Sequence, residues 1–285
     1  MKPLILLSPD YAINPGNGRV YNFVKKSYSL VLAGAGAAPF MALNARLCDE
    51  YSEMMDGLIL CDSILYINPG RYNKSFDPQL VPVMQTIPQN PSKDSMDILL
   101  CEAFLKANKP ILGIGRGMHV INTVFGGDLK QVLEEPVQKV HNSFEYHGVS
   151  IDESSKLFTV LGAKASVLSC HGQAVGKLGD GLKVSAVSGD GITEAFEHET
   201  LPVFGVQWHP EVAATQDLEM HAVHKNADAP ADPPSDELTA IRKRQYTHKT
   251  AVPEFKNGCG LLRPADNALF NAFTDLCKER SGKNE

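Results

Sequence analysis

The chain has 285 residues, and 43% of them are hydrophobic, enough to bury the core of one large domain or two small ones; we favour one domain. The formal net charge of -6 at pH 7 comes without any block rich in Lys and Arg, so we expect no nucleic-acid partner. No apolar stretch is long enough to span a bilayer, and the six cysteines lack the spacing of a metal site. We therefore expect a cytoplasmic protein with reduced thiols, without membrane association, metal or other cofactor.

The N-terminal part of the chain predicts strands that alternate with helices. Residues 1–8 contain an apolar run that is too short for a signal peptide, so they predict the first strand. Apolar residues recur at helical spacing over residues 20–33 and 44–55, and Asn44 is placed to cap the second of these helices. The short apolar run at residues 58–60 predicts the next strand. This order is typical of an α/β fold.

An irregular segment and a helix precede the central motif. Residues 63–94 are rich in Pro, Asn and Tyr, and they predict a long connection over the rim of the site. Residues 95–108 carry apolar residues at helical spacing, which predicts a helix that turns Leu99 and its apolar neighbours inward. Pro110 ends this helix.

The central motif is a strand that runs through a Gly-rich turn directly into a helix, over residues 110–122. This pattern predicts a nucleophile elbow, in which a tight turn holds one residue over the end of the sheet. Gly113 and Gly117 permit the close approach of helix and strand. The residue at the tip is Gly115, which has no side chain to present.

The C-terminal half predicts a different architecture, in which short β-rich segments extend the parallel sheet with antiparallel strands. The sequence Asp190-Gly191, between two alternating runs, is typical of a hairpin turn. Residues 213–252 are too poor in large apolar side chains to bury a core, so we predict a mobile insertion. Residues 266–280 predict a closing amphipathic helix that docks on the rest of a single domain, 1–285. The predicted β-rich segments are residues 149–151, 165–168, 183–187, 192–196 and 202–207.

Three motifs resemble those of class I glutamine amidotransferases, most closely their gamma-glutamyl-gamma-aminobutyrate hydrolase branch. The elbow Gly113-Ile-Gly-Arg-Gly117 is similar to one in which the tip residue is a cysteine. The segment Ser169-Cys-His-Gly-Gln173 resembles the substrate-side motif S-x-H-x-Q, and Gln207-Trp-His-Pro-Glu211 resembles the histidine–glutamate motif. The resemblance implies a flavodoxin-like α/β sandwich. Its central sheet would be mostly parallel, with helices on both faces and an antiparallel extension.

The resemblance also implies a reaction that this sequence cannot complete. In the family, a cysteine attacks a gamma-glutamyl amide, a histidine transfers the proton, and a glutamate orients the histidine. His209 and Glu211 match the last two roles, but Gly115 leaves the nucleophile position vacant. The run Cys61-Asp62-Ser63 stands where the family has a flexible Pro-Gly-Gly or Pro-Gly-Ser loop. A carboxylate there opposes the negative charge that an oxyanion develops.

The other candidate binding residues carry alternatives. The resemblance implies that Ser169, Cys170, His171 and Gln173 contact substrate. Arg116 either binds the carboxylate of a ligand or pairs with a nearby acid, and we weigh the two equally. The thiols of Cys61 and Cys170 are relocated nucleophiles or, in the favoured interpretation, small buried apolar groups. His221 and His224 are better explained as part of a polar loop than as a metal site.

Three hypotheses for the function follow. The leading one is a family member that has lost its cysteine nucleophile and works by binding, either to a small gamma-glutamyl or amino-acid-like ligand or to a protein partner, another copy of the chain included. The second is a Cys-His-Glu hydrolase whose nucleophile was replaced in this sequence. The third is an enzyme with new acid–base chemistry that uses Asp62, His209 and Glu211.

Overall fold

A nine-stranded sheet organises the protein in a computed structural model that describes residues 1–13, 16–72, 89–130, 141–142, 144–212 and 264–282. The strands in these residues are β1 (Leu4–Leu7), β2 (Asp10–Ile13), β3 (Val20–Phe23), β4 (Ala38–Met41), β5 (Gly57–Leu60), β6 (Ile111–Ile114), β7 (Leu129–Lys130), β8 (Glu145–Ile151), β9 (Lys164–Ser169), β10 (Ala174–Val175), β11 (Leu182–Ser188), β12 (Thr193–His198) and β13 (Val203–Val206). The order across the sheet is β4-β1-β5-β6-β13-β12-β11-β8-β9. Two further pairs, β2 with β3 and β7 with β10, form small separate sheets.

The large sheet has a parallel half and an antiparallel half. Strands β4, β1, β5, β6 and β13 run parallel to one another, whereas β12, β11, β8 and β9 are joined by antiparallel pairing. The pairing changes from parallel to antiparallel between β13 and β12, where Val206 of β13 pairs with Ala195 of β12. The predicted mostly parallel sheet with an antiparallel extension is confirmed.

Helices cover both faces of the parallel half. The described helices are α1 (Lys26–Gly34), α2 (Cys48–Met54), α3 (Pro91–Lys106), α4 (Arg116–Val124), α5 (Lys156–Leu161) and α6 (Pro264–Ser281). Short 3-10 turns occur at Ala45–Leu47 and Pro69–Arg71. Among the described residues, no helix combines the length and the apolar character that crossing a membrane requires.

The alternation of side chains along each strand divides the apolar interior into two layers. In β1, Ile5 packs with Tyr28 of α1 and Phe270 of α6 in one layer. The next residue, Leu6, belongs to the opposite layer, with Leu100 of α3 and others. Every residue of β5 and β6 is buried, as expected for central strands that are covered on both sides.

Two predicted helices differ from those observed. The helix predicted over residues 20–33 is wrong at its start, because Val20–Phe23 forms β3 and pairs with Asp10–Ile13, so the helix begins only at Lys26. The helix predicted over residues 95–108 starts earlier, because the Asn90 side chain accepts hydrogen bonds from two amides of the first turn and Pro91 occupies the first helical position.

Leu99 was predicted to face inward, and this was wrong, since its exposed fraction is 44%. The closing helix is confirmed, with Leu269, Phe270 and Phe273 buried. The hairpin at Asp190-Gly191 is confirmed between β11 and β12. The insertion predicted over residues 213–252 lies outside the described residues.

Candidate functional site

Three neighbouring parallel strands end at one edge of the sheet and bring the predicted catalytic positions together. Strand β6 lies between β5 and β13 and pairs with both. Asp62 follows β5, Gly115 follows β6 and His209 follows β13. This edge is formed by the carboxyl ends of parallel strands, the usual location of ligand sites in open α/β sheets.

The backbone of the elbow keeps the sharp turn that a nucleophile needs. Gly115 has φ 54° and ψ -113°, a conformation that L-residues with side chains rarely adopt, and its amide donates to the carbonyl of Val206 at 2.9 Å. A Cβ atom at position 115 would overlap with Oδ1 of Asp62 and lie 2.9 Å from its Cγ. The carboxylate of Asp62 therefore fills the space that the side chain of a nucleophile would occupy.

Asp62 holds this place through contacts with both sides of the elbow. One carboxylate oxygen accepts a hydrogen bond from Lys25 Nζ at 2.7 Å, and the other accepts one from the backbone amide of Arg116 at 3.2 Å. That amide belongs to the first residue of α4, where the helix dipole favours an anion. Burial alone would raise the pKa of Asp62, but the positive charges of Lys25 and His209 hold it well below its ordinary value.

Lys25 and His209 join the second carboxylate, Glu211, to this group. Lys25 Nζ lies 3.3 Å from Oε1 of Glu211, which is fully buried, while the Lys25 side chain is 39% exposed. His209 Nδ1 lies 3.6 Å from Asp62 and 3.5 Å from Glu211, and its Nε2 faces the carbonyl of Cys170 at 3.3 Å. Burial would lower the pKa of His209, but the two carboxylates outweigh this effect and raise it. The elbow cluster is defined by Lys25, Asp62, His209 and Glu211.

Arg116 adopts the second of its two predicted alternatives. Its guanidinium is buried and donates to the carboxylates of Asp94 and Asp97, both in the first two turns of α3. Lys93, also fully buried, pairs with Asp97 at 2.9 Å. In this structure Arg116 thus ties α3 to α4 beneath the elbow and is not exposed to a ligand.

The remaining predicted binding residues have partners inside the protein. Ser63 donates to Asp10 at 2.8 Å. The hydroxyl of Ser169 contacts His147 Nε2 at 2.8 Å, and His171 bonds the carbonyl of Gln173 through Nδ1, also at 2.8 Å. The side chains of Ser169, His171 and Gln173 are buried, so the loop between β9 and β10 presents chiefly its half-buried Cys170 to the outside.

The two cysteines near the site have the character of apolar groups. Cys61 is buried, and this burial raises the pKa of its thiol well above the ordinary value. Burial also raises the pKa of Cys170, to about 11. Both thiols are therefore protonated at neutral pH, which makes them weak nucleophiles.

Sequence reasoning missed several residues of this region. Lys25 lies within the helix predicted over residues 20–33. Asp94 ends the segment predicted to be irregular, and Asp97 lies within the helix predicted over residues 95–108. Charges three or four residues apart on a helix are usually solvent-exposed, so no local pattern marked Asp94 and Asp97 as buried partners of Arg116. The contacts of His141 and Glu194 with His171 were also missed, because they connect segments that are far apart in sequence.

Comparison with known proteins decides the family. The sequence profile described as Peptidase C26 matches residues 8–211, well over half of the chain. The chain belongs to the peptidase C26 family. This C26 family member is 27% identical over 212 residues to a gamma-glutamyl-gamma-aminobutyrate hydrolase of Escherichia coli O157:H7, a match that covers 68% of this chain and 80% of the relative.

Two further proteins are similar to this chain, one in sequence and one in fold. Protein NtpR of Enterococcus hirae is 34% identical over 177 residues, 59% of this chain and 71% of its own length. The crystal structure of a glutamine amidotransferase from Thermotoga maritima has a TM-score of 0.52 at 16% identity and covers 98% of both chains. At that identity the likeness shows the fold, which is the glutamine-amidotransferase-like sandwich that the motifs implied.

Proposed function

We propose that this C26 family member does not hydrolyse gamma-glutamyl bonds through an acyl-enzyme and acts instead by binding a small amino-acid-like ligand or a protein partner. The observation that carries the proposal is the position of the Asp62 carboxylate. It fills the space beside Gly115 and accepts the hydrogen bond of the Arg116 amide.

Two requirements of acyl transfer are missing together. Gly115 offers no atom that could form a covalent bond to a substrate. In nucleophile elbows the amide of the residue after the nucleophile helps to bind the oxyanion, and here that amide is engaged by a carboxylate. An anion at this place repels the negative charge of the transition state.

The ligand class is suggested by the family and by the exposed part of the elbow cluster. The Escherichia coli relative is named for a gamma-glutamyl substrate, which carries a carboxylate and an amine. Lys25 is the cation of the elbow cluster that reaches solvent, since its side chain is 39% exposed, whereas Arg116 is buried. We therefore assign the recognition of a ligand carboxylate to Lys25, which would exchange Asp62 or Glu211 for the ligand, and not to Arg116.

The other two hypotheses have less support. In a hydrolase that lacks only its cysteine, the Asp62 carboxylate would have to leave the space beside position 115 and give up its hydrogen bond to the Arg116 amide. An acid–base enzyme would present a titrating nitrogen to its substrate. Both ring nitrogens of His209 face protein atoms, Nε2 the carbonyl of Cys170 and Nδ1 the two carboxylates.

Thermal unfolding with added ligand tests the binding role. Glutamate, glutamine, gamma-glutamyl-aminobutyrate and gamma-glutamyl polyamines are the compounds to compare, since a ligand at a hundred times its dissociation constant adds about 2.7 kcal/mol of stability. We expect at least one of them to raise the midpoint in the native chain and in Lys26→Ala, a change at an exposed neighbouring lysine, but not in Lys25→Ala. A shift that Lys25→Ala leaves unchanged would exclude the assigned site. If none of these compounds shifts the midpoint, the ligand role fails and a protein partner remains.

A further inference from the structure

A second group of polar side chains lies in the antiparallel half of the sheet, apart from the elbow cluster. His141 precedes β8, His171 follows β9, and Glu194 lies in β12. All three are buried, and each offers one ligand atom within 4.8 Å of the other two. We call this group the histidine cluster.

The outer hydrogen bonds of the two histidines fix which nitrogen carries the proton. His141 Nε2 lies 2.9 Å from the carboxylate of Asp190, so this nitrogen donates. His171 Nδ1 lies 2.8 Å from the backbone carbonyl of Gln173, so this nitrogen donates as well. In the neutral imidazoles, the inward nitrogens, Nδ1 of His141 and Nε2 of His171, then each present a lone pair.

Three acceptors therefore converge where a positive charge is needed. The two inward nitrogens lie 3.2 Å apart, and Glu194 Oε1 lies 3.1 Å from His141 Nδ1 and 3.7 Å from His171 Nε2. When both histidines are neutral, acceptors at these distances repel one another unless a proton or a metal ion lies between them. A buried carboxylate with no neutralising charge would be costly.

The distances match a zinc site. Zn²⁺ binds histidine nitrogen and carboxylate oxygen at about 2.0–2.2 Å in tetrahedral geometry, which places neighbouring ligand atoms about 3.3–3.5 Å apart. The observed separations of 3.1, 3.2 and 3.7 Å bracket that value. The outer partners are also those of metal-binding histidines, which commonly donate their second N–H to a carboxylate or a backbone carbonyl.

His147 stands next to the cluster and has a partner of its own. Its Nε2 lies 2.8 Å from the hydroxyl of Ser169 and 3.5 Å from Glu194 Oε1, and its Nδ1 faces the carbonyl of Gly148 at 3.3 Å. We propose that His141, His171 and Glu194 bind a divalent transition-metal ion, best matched by Zn²⁺. His147 becomes the fourth ligand when its Nε2 exchanges the hydroxyl of Ser169 for the ion.

The metal would be structural and would act on the elbow from a distance. His171 belongs to the loop between β9 and β10, and the carbonyl of Cys170 in the same loop faces His209 Nε2 at 3.3 Å. An ion bound to His171 would therefore hold the loop that borders His209. The inference does not depend on the proposed binding function.

Zinc binding by the full-length protein tests the proposal. The protein is stripped with a chelator and titrated with Zn²⁺ in competition with a chromophoric chelator, and the metal content is counted by mass spectrometry. We expect one ion per chain. Asp190→Ala, which removes the outer partner of His141 at an exposed position, should weaken the affinity about 10–100-fold. Glu194→Gln, which removes a ligand, should weaken it further, and His198→Ala should leave it unchanged.

Other outcomes would overturn the proposal. If micromolar Zn²⁺ shows no saturable binding, a proton shared within the histidine cluster supplies the positive charge. If zinc binds with the same affinity in Glu194→Gln and in Asp190→Ala, the ion is held elsewhere. Loss of binding in Glu211→Gln alone would place it at the elbow cluster, and loss in His221→Ala/His224→Ala would place it in the insertion.

Discussion

Position 115 and the carboxylate of Asp62 compete for the same space. Gly115→Ala adds a Cβ atom at a positive φ and against Asp62, so we expect it to destabilise the fold by about 1–3 kcal/mol. Chemical denaturation of Gly115→Ala, Asp62→Gly and the double variant gives the free energy of unfolding of each.

The double-mutant cycle separates overlap from backbone strain. In the Asp62→Gly background, alanine at position 115 still has a strained backbone, but no carboxylate overlaps with its Cβ atom. Gly115→Ala should therefore reduce the free energy of unfolding by less than it does in the native chain. Gly126→Ala is the matched control for strain, because Gly126 also has a positive φ but open space around its Cβ position. An additive cycle would contradict the overlap.

His119 should make the fold sensitive to mild acid. Burial lowers the pKa of His119 to about 4, despite its hydrogen bond to Gln207 at 2.7 Å. Between about pH 6.5 and 4 the unfolded chain then binds a proton that the folded chain excludes, so stability falls as the pH falls. Over this pH interval, the free energy of unfolding falls by about 3 kcal/mol in total.

Denaturation of His119→Gln over the same pH range checks this effect. The variant should lose part of the pH dependence of its unfolding free energy, whatever its stability at pH 7. His198→Gln, at a half-buried position, is the control and should keep most of the native slope. Identical slopes in all three proteins would show that His119 does not contribute.

Single residues were predictable where a motif followed a strand. Gly115, His209 and Glu211 could be placed together because the ends of β6 and β13 define their positions. Lys25 could not, because its carboxylate partners come from distant segments. The alternatives for Arg116 also depended on acids of another helix, which no local pattern reveals.

The contact between α3 and α4 depends on buried ion pairs. Removal of the charge of Arg116 would leave the carboxylates of Asp94 and Asp97 buried next to the single ammonium of Lys93. We expect Arg116→Met to reduce the free energy of unfolding by about 3–5 kcal/mol.

An exposed arginine that contacts α3 from the 3-10 turn Pro69–Arg71 provides the control for this prediction. Arg71 donates to Ser95 of α3 at 2.8 Å, and Arg71→Ala should change stability by less than about 1 kcal/mol. Denaturant melts of the two variants give both values. A small effect of Arg116→Met would mean that the charges beneath the elbow are solvated.

Helices and strands were predictable where periodicity and end signals agreed. The elbow strand and helix combine a short apolar run with glycines that only a tight turn requires, and they were predicted correctly. Val20–Phe23 was mistaken for helix because its pairing with Asp10–Ile13, across a loop, is not visible in its own spacing. The start of α3 was signalled by Asn90 and Pro91, which were overlooked within a segment read as irregular.

The architecture of the whole sheet followed from composition along the chain. Alternating strands and helices imply a parallel sheet, and hairpin signals imply an antiparallel extension. The order of the strands depends on pairing between segments that are far apart in sequence, which periodicity does not reveal. The family motifs, and not periodicity, indicated the flavodoxin-like sandwich. A single domain over residues 1–285 and a mobile insertion at residues 213–252 remain predictions.

The two polar clusters lie in different halves of this architecture. The elbow cluster follows the parallel strands, whereas the histidine cluster is built by the antiparallel ones. The loop between β9 and β10 contacts both, through Cys170 and His171. A change in one cluster is therefore expected to reach the other through this loop.

Hydrolysis of gamma-glutamyl-p-nitroanilide tests most directly whether Asp62 has taken the place of a nucleophile. We predict no turnover by the native chain, by Asp62→Gly or by Gly115→Cys. The native chain and Asp62→Gly lack a thiol at position 115. Gly115→Cys has the thiol, but Asp62 occupies the space beside it and engages the Arg116 amide. The double variant Gly115→Cys/Asp62→Gly should show turnover that His209→Ala abolishes. Turnover by the native chain, or equal rates for Gly115→Cys alone and for the double variant, would contradict the account.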